Sequence, residues 1–303
     1  MKKIVIGVLL LCFSVVKAQQ NPQYTQYMYN MNIVNPAYAG SRGTLSIGVL
    51  GRFQWTGLNG APETYTANIH APLSSKVGLG LSAIADENGP LKEQNIFADF
   101  SYTLETSDVG RLALGLKAGV TLKQVGLFSL TRVNPNDDAF NDNVNSADPN
   151  IGAGAFFYTD KFYAGFSVPN ILQVAYAEFE DGRISRVSEN MHYFLTTGYV
   201  FDLNKSVKFK PSILVKATSG SPISMDFSTN FLFNERFELG ASYRLDDSIS
   251  GLVNVAVSKT LRLGFAYDHT LTNLGDFNNG SFEGILLWDI QASDKKIKSP
   301  RFF

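Results

Sequence analysis

The sequence predicts an all-β fold: a transmembrane antiparallel β-barrel of about fourteen strands preceded by an N-terminal periplasmic arm. Three observations carry that prediction. The chain opens like an exported protein and has no later apolar run long enough for a helical span. Segments of about ten residues alternate between apolar and polar positions along most of its length. The connections between them alternate between brief and long, as the two sides of an outer-membrane barrel require.

Export is written in the first residues. Lys2 and Lys3 precede an apolar run from Ile4 to Val16, and Val16-Lys17-Ala18 closes it with the small-residue ending of a signal peptide, so residues 1–18 are expected to be removed. The only cysteine, Cys12, lies in that run without the small residues that lipid attachment requires. Disulfides, thiolate catalysis and cysteine metal ligands are therefore excluded from the mature chain. The sequence holds 26 basic and 27 acidic residues, scattered rather than blocked, which leaves nucleic-acid binding without an electrostatic basis.

The alternation is clearest late in the chain. Phe237, Leu239, Ala241, Tyr243 and Leu245 alternate with Glu238, Gly240, Ser242 and Arg244, and Leu261, Leu263, Phe265 and Tyr267 alternate with Arg262, Gly264, Ala266 and Asp268. One face of such a strand meets lipid while the other meets water or a polar lumen. The same test marks strands near 44–55, 63–71, 76–86, 91–104, 110–125, 149–158, 161–169, 189–202, 205–218, 222–233, 236–246, 249–258, 260–269 and 281–291. Their number is even, as closure of a single-chain bacterial barrel demands. Connections around Ser74-Ser75, Thr106-Ser107, Thr159-Asp160, Leu203-Asn204, Asn234-Glu235 and Lys259 are brief, whereas 126–148, 170–188 and 270–280 are long. This predicts long loops outside the cell and both termini in the periplasm.

The chain then divides into a signal peptide (1–18), an aromatic arm (19–43), a barrel (44–291) and a basic tail (292–303). A β-sandwich also alternates. Strand number, the asymmetry of the connections and aromatics near strand ends favour the barrel, with Phe53, Trp55, Tyr158, Phe162, Tyr199, Phe201, Phe231, Phe233 and Trp288 expected in girdles. Arg52, Asp99, Lys117, Lys123, Asp226, Glu238, Arg244, Arg262 and Asp268 fall on the lumen face. Their mixed signs suit internal pairing better than an ion-selective pore.

Chemistry-bearing constellations are few. His70, His192 and His269 lie on separate strands without metal-ligand spacing, and Asp137-Asp138 and Asp246-Asp247 sit in connections where Asp is an ordinary turn residue. No nucleophile elbow or phosphate-cradling loop is present, so no catalytic residue, metal or cofactor is expected. Asp137, Asp138, Asp142 and Asp148 stand among Asn residues in 134–150 and offer oxygen ligands for calcium, but a hydrated, turn-forming loop is the plainer reading.

Ahead of the first strand, Tyr24, Gln26, Tyr27, Met28, Tyr29 and Asn30 are followed by Asn35-Pro36-Ala37-Tyr38-Ala39-Gly40-Ser41. So many aromatics do not suit a solvated arm, which must pack on the barrel wall, enter the lumen or meet another protein. Together with Arg52, Gln54-Trp55 and Gly60-Ala61-Pro62, and with Ser221-Pro222, Gly240-Ala241-Ser242-Tyr243-Arg244 and Gly264-Phe265-Ala266-Tyr267-Asp268, this stretch resembles the PorP/SprF membrane proteins of the type IX secretion system of Bacteroidetes. The last strand departs from the family pattern, because Phe282-Glu283-Gly284-Ile285 stands where a His-Glu-Ile type of ending is expected.

The resemblance implies a non-enzymatic outer-membrane barrel that works with type IX components. It would dock a secreted partner, such as a large surface or gliding adhesin, through that partner's C-terminal sorting domain. Tyr24, Gln26, Tyr27, Met28, Tyr29, Asn30, Asn35, Pro36, Tyr38, Arg52 and Trp55 would then be partner-binding, with type IX secretion components and outer-membrane lipid as the other partners and no nucleic acid. The alternative is a transport channel for small or hydrophobic solutes.

Overall fold

The computed structural model describes residues 22–126, 143–172 and 190–290. The signal peptide, the tail, Asp137, Asp138 and Asp142 of the calcium candidate, and most of 170–188 lie outside the described residues.

Fifteen strand segments form one antiparallel sheet: β1 Leu45–Phe53, β2 Glu63–Pro72, β3 Val77–Asn88, β4 Leu91–Glu105, β5 Arg111–Val125, β6 Val144–Tyr158, β7 Phe162–Val168, β8 His192–Tyr199, β9 Phe201–Asp202, β10 Val207–Thr218, β11 Ser224–Phe233, β12 Phe237–Arg244, β13 Ser248–Ala256, β14 Leu261–Thr270 and β15 Ser281–Ile290. β8 and β9 are one stave. Their ladder to β10 lapses between Gly198↔Ser212 and Phe201↔Phe209, around Pro211, which has no N–H to give. Each stave pairs with its neighbour in sequence, and β1 also pairs with β15 from Leu45↔Ile290 to Phe53↔Phe282. The result is a closed barrel of fourteen staves, with no sheet edge left at the seam.

Lipid and lumen faces follow the alternation. In β2 the burial pattern runs exposed, buried, exposed, buried from Glu63 to His70, with Tyr65 and Ile69 outside and Thr64, Thr66, Asn68 and His70 inside. Rings collect near both rims. Near one rim, Phe201 meets Tyr199 at 4.6 Å, and Phe209 meets Phe231 at 4.8 Å. Near the other, Phe53 meets Tyr65 at 5.8 Å, and Tyr267 meets Phe282 at 5.1 Å. Two aromatic girdles around an apolar band are what a membrane-spanning barrel presents to lipid.

The connections define two ends. On the turn side they are 73–76, 106–110, 159–161, 203–206, 234–236 and 257–260; on the loop side they include 54–62 and 271–280. The alternation of lengths is weaker than the sequence suggests, because 89–90 and 245–247 on the loop side are also tight. Gly89 and Asp246 supply the positive φ of those turns.

Two expectations are corrected. β6 starts at Val144, so Asp148 of the calcium candidate is a strand residue paired with Thr121 of β5. Asn145, Ser146, Ala147 and Asp148 carry no apolar alternation, and backbone pairing with β5 alone extends the strand there. Tyr158, expected in a girdle, faces the lumen and packs with Phe156 at 5.6 Å.

Candidate functional site

The lumen is occupied. Residues 22–43 run inside the barrel through a 3-10 turn at Tyr27–Tyr29, a single α-turn at Met31–Val34 and a 3-10 turn at Pro36–Tyr38. Every residue from Tyr24 to Ala39 is buried. The arm that the sequence places on the periplasmic side is therefore a plug within the barrel.

Nothing in these short turns would hold them in water, since one helical turn is far below the length that is stable alone. The wall holds them, through side chains. At the loop side, the Arg52 guanidinium on β1 reaches Asp268 of β14 at 2.7 Å and Glu283 of β15 at 3.2 Å. The Glu283 carboxylate accepts the backbone N–H groups of Thr25 at 2.9 Å and Gln26 at 2.7 Å. The Thr25 hydroxyl donates to Asp268 at 2.7 Å and accepts from Arg52 at 3.0 Å. The glutamate in the atypical ending of the last strand is thus one half of the clasp on the arm.

Deeper in, the Tyr27 hydroxyl donates to Ser212 at 3.2 Å. The Tyr29 hydroxyl donates to Glu238, whose other oxygen accepts from Arg262 at 3.0 Å, and Lys210 lies over the Tyr29 ring at 4.8 Å. Asn30 bridges to Thr66 at 3.0 Å and accepts from Asn68 at 2.9 Å on β2. Asn32 donates to Asp99 at 3.0 Å, and Asp99 pairs with Lys117 at 2.7 Å. These carboxylates are fully buried, and each has both a cation and a neutral donor, the condition under which buried charge is tolerated.

The turn side is packed through glycines. A Cβ at Gly115 would stand 2.1 Å from the Ala37 nitrogen, and one at Gly154 would stand 2.2 Å from Asn35 Oδ1. Their bare backbones let Asn35-Pro36-Ala37 lie flat on β5 and β6. Asn35 donates to the Ala155 carbonyl at 3.1 Å and caps the last turn by accepting from Ala37 at 3.0 Å. Tyr38 meets Phe156 edge-on at 5.7 Å and His70 at 5.4 Å. Gly40, at φ +72°, donates to His70 Nδ1 at 3.2 Å and turns the chain into the wall beside Gly78. Arg42 then pairs with Asp289.

Of the residues singled out in the sequence, the structure gathers Tyr24, Gln26, Tyr27, Met28, Tyr29, Asn30, Asn35, Pro36, Tyr38 and Arg52 in one buried cluster. Trp55 stands apart on the loop-side rim at φ +48°, its backbone N–H donating to the Ser281 hydroxyl at 3.1 Å. The nine lumen charges all face inward, eight of them buried and Arg262 nearly so. Sequence reasoning missed Phe156, the ring that seats Tyr38, with Tyr163 stacked on it, and Lys210 over Tyr29, and it placed Tyr158, which backs Phe156, in a girdle. The available signal was apolar residues on a lumen face, as with Leu50 between Gly48 and Arg52. The histidines are not brought together: His70 holds the arm, His192 is buried in the wall and His269 faces outward. Among the described residues no group of three His, Cys, Asp or Glu could hold a metal ion.

Fold and site define a class first: an outer-membrane β-barrel whose lumen is filled by its own N-terminal arm. The family model for the type IX secretion system membrane protein PorP/SprF matches residues 16–287, and the chain belongs to that family. No curated protein matches it. Among solved structures the chain is similar to a Pseudomonas aeruginosa FadL homologue (12% identity, 89% of this chain and 95% of that one, TM-score 0.48). It is also similar to the Acinetobacter baumannii outer membrane protein Omp33 (9%, 82% and 99%, 0.47) and to the CymD monoaromatic hydrocarbon channel (12%, 88% and 93%, 0.44). At TM-scores below 0.5 these likenesses carry no argument about function.

Proposed function

We propose that this barrel is a non-enzymatic docking site that holds a secreted partner at the cell surface, receiving its C-terminal sorting domain on the loop-side rim with the loops facing out. The observation that carries the reading is the filled lumen. Among the described residues, three cavities between arm and wall measure about 10, 50 and 10 Å³, enough for one to a few waters. A solute channel needs a continuous path, so the transport alternative requires the arm to leave. Recognition then falls to the rim, where Trp55 stands and where 54–62 and 271–280 project. The buried arm residues act in partner binding by fixing the shape of that rim rather than by direct contact.

The test is affinity purification of the barrel from detergent-solubilised outer membranes of its host, with partners identified by mass spectrometry, followed by single-channel recording of the isolated barrel. A stoichiometric secreted protein retained through its C-terminal domain, on a barrel that does not conduct, is the expected result. A barrel that purifies alone and conducts stably without any partner would replace docking by transport.

A further inference from the structure

We infer that the leading end of the arm, at Pro22 and Gln23, is accessible from the loop face, so that the arm enters the lumen from one side of the membrane and joins the barrel wall from the other. The two ends of the arm lie at opposite ends of the lumen. Its trailing end is on the turn side: the Ala39 carbonyl accepts from Ser101 at 2.6 Å, and a Cβ on Gly40 would sit 3.1 Å from Pro72 Cα and 2.7 Å from Gly78 Cα, the residues flanking connection 73–76. Its leading end is on the loop side. Pro22 lines a cavity together with Pro169 and Asn170, where the β7–β8 connection begins, and Gln23 shares a small cavity with Ser224, the first residue of β11.

Between those ends the arm packs tightly against the described wall. Tyr27, Met28 and Met31 are at most 2% exposed. The spaces left beside them hold waters, not a second passage of chain. Pro22 and Gln23 are already only half-buried, in contrast to every residue from Tyr24 to Ala39. Pro22 and Gln23 thus stand on the loop side, whereas the sequence alone places the arm toward the periplasm. The inference borrows from the proposed function only the outward direction of the loops. It adds Pro22 and Gln23 to the surface that a docked polypeptide would meet.

Three single-cysteine variants test it on intact cells, because Cys12, the only native cysteine, lies in the leader. Gln23→Cys reports the arm, Asn59→Cys the exposed β1–β2 loop and Ser75→Cys the exposed β2–β3 turn. A membrane-impermeant maleimide is applied before and after permeabilising the outer membrane. The expected result is labelling of Gln23→Cys and Asn59→Cys on intact cells, and of Ser75→Cys only after permeabilisation. Labelling of Gln23→Cys in step with Ser75→Cys, or in neither condition, would overturn the inference. Reversed behaviour of the two controls would refute the docking orientation instead, while Gln23→Cys following Asn59→Cys would still support the arm's path.

Discussion

Replacing Arg52 with methionine removes the cation of the loop-side clasp while keeping most of its bulk. Arg52 is 2% exposed, and its partners Asp268 and Glu283 are as deeply buried. Without it, two carboxylates remain in the wall facing the Thr25 and Ser250 hydroxyls and the Thr25 and Gln26 N–H groups, with no cation paired to Glu283 and only the more distant Arg244 acting on Asp268. Breaking a buried pair from one side costs about 3–5 kcal/mol, because the charge left behind has lost its compensation. At about 1.4 kcal/mol per tenfold, the arm-seated state loses a factor on the order of 10² to 10³. The barrel ladder is untouched, so the loss should appear as release of the arm: faster proteolysis near Tyr24 to Tyr29 and the onset of conductance, with β content unchanged by circular dichroism. Adding Asp268→Asn and Glu283→Gln to Arg52→Met removes the stranded charges and should restore at least half of the loss. Arg52→Met with wild-type protease resistance and no conductance would refute the reasoning, as would a triple variant worse than the single one.

Other sites separate arm from wall. Tyr29→Phe deletes the hydroxyl between Glu238 and Lys210 and should lower barrel stability by about 1–3 kcal/mol in thermal melts, because a buried carboxylate loses a donor. Gly154→Val or Gly115→Val drives a side chain into Asn35 or Ala37 and should expose the arm to protease, whereas Gly251→Ala, with nothing within 4 Å of its Cβ, should melt like wild type. Phe156→Ala opens the seat of Tyr38 and should cost about 3–5 kcal/mol by the same melts. Lys161→Ala breaks only the exposed pair with Asp202, 2.9 Å apart, and should leave the melting temperature unchanged.

The strands were legible because lipid enforces apolar residues on every second position, a demand that Leu239 or Phe265 meets whatever lies inside. The lumen charges were legible for the same reason, as the only charges allowed between such residues. The position of the arm was harder to read. Tyr24 to Tyr38 announced that they needed burial, but not where, because any apolar or polar partner satisfies an aromatic ring with a hydroxyl. The answer lay on the wall, in inward Leu50, Phe156 and Leu214 where water would favour polar side chains, and in the bare backbones of Gly115 and Gly154. Those cues become readable only once strands are in register, since each concerns what faces it across the lumen. The early start of β6 was hidden because Asn145 to Asp148 carry backbone pairing without any apolar rhythm.

The path of the arm constrains how the molecule can be assembled. Thr25 bonds to Glu283 across 258 residues, and Arg42 to Asp289 across 247, so neither contact can form before the whole wall has been synthesised. The β1–β15 seam spans nearly the same separation. If the seam closed first, a chain with three helical turns, two of them bearing tyrosine rings, would have to be fed lengthwise through a finished cylinder. It is simpler for the open sheet to curl around an arm already laid along its inner face, so that the last pairing and the filling of the interior are a single event. The arm is then a mandrel on which the cylinder is formed. Shortening it would slow insertion into the membrane as well as leave the finished barrel open.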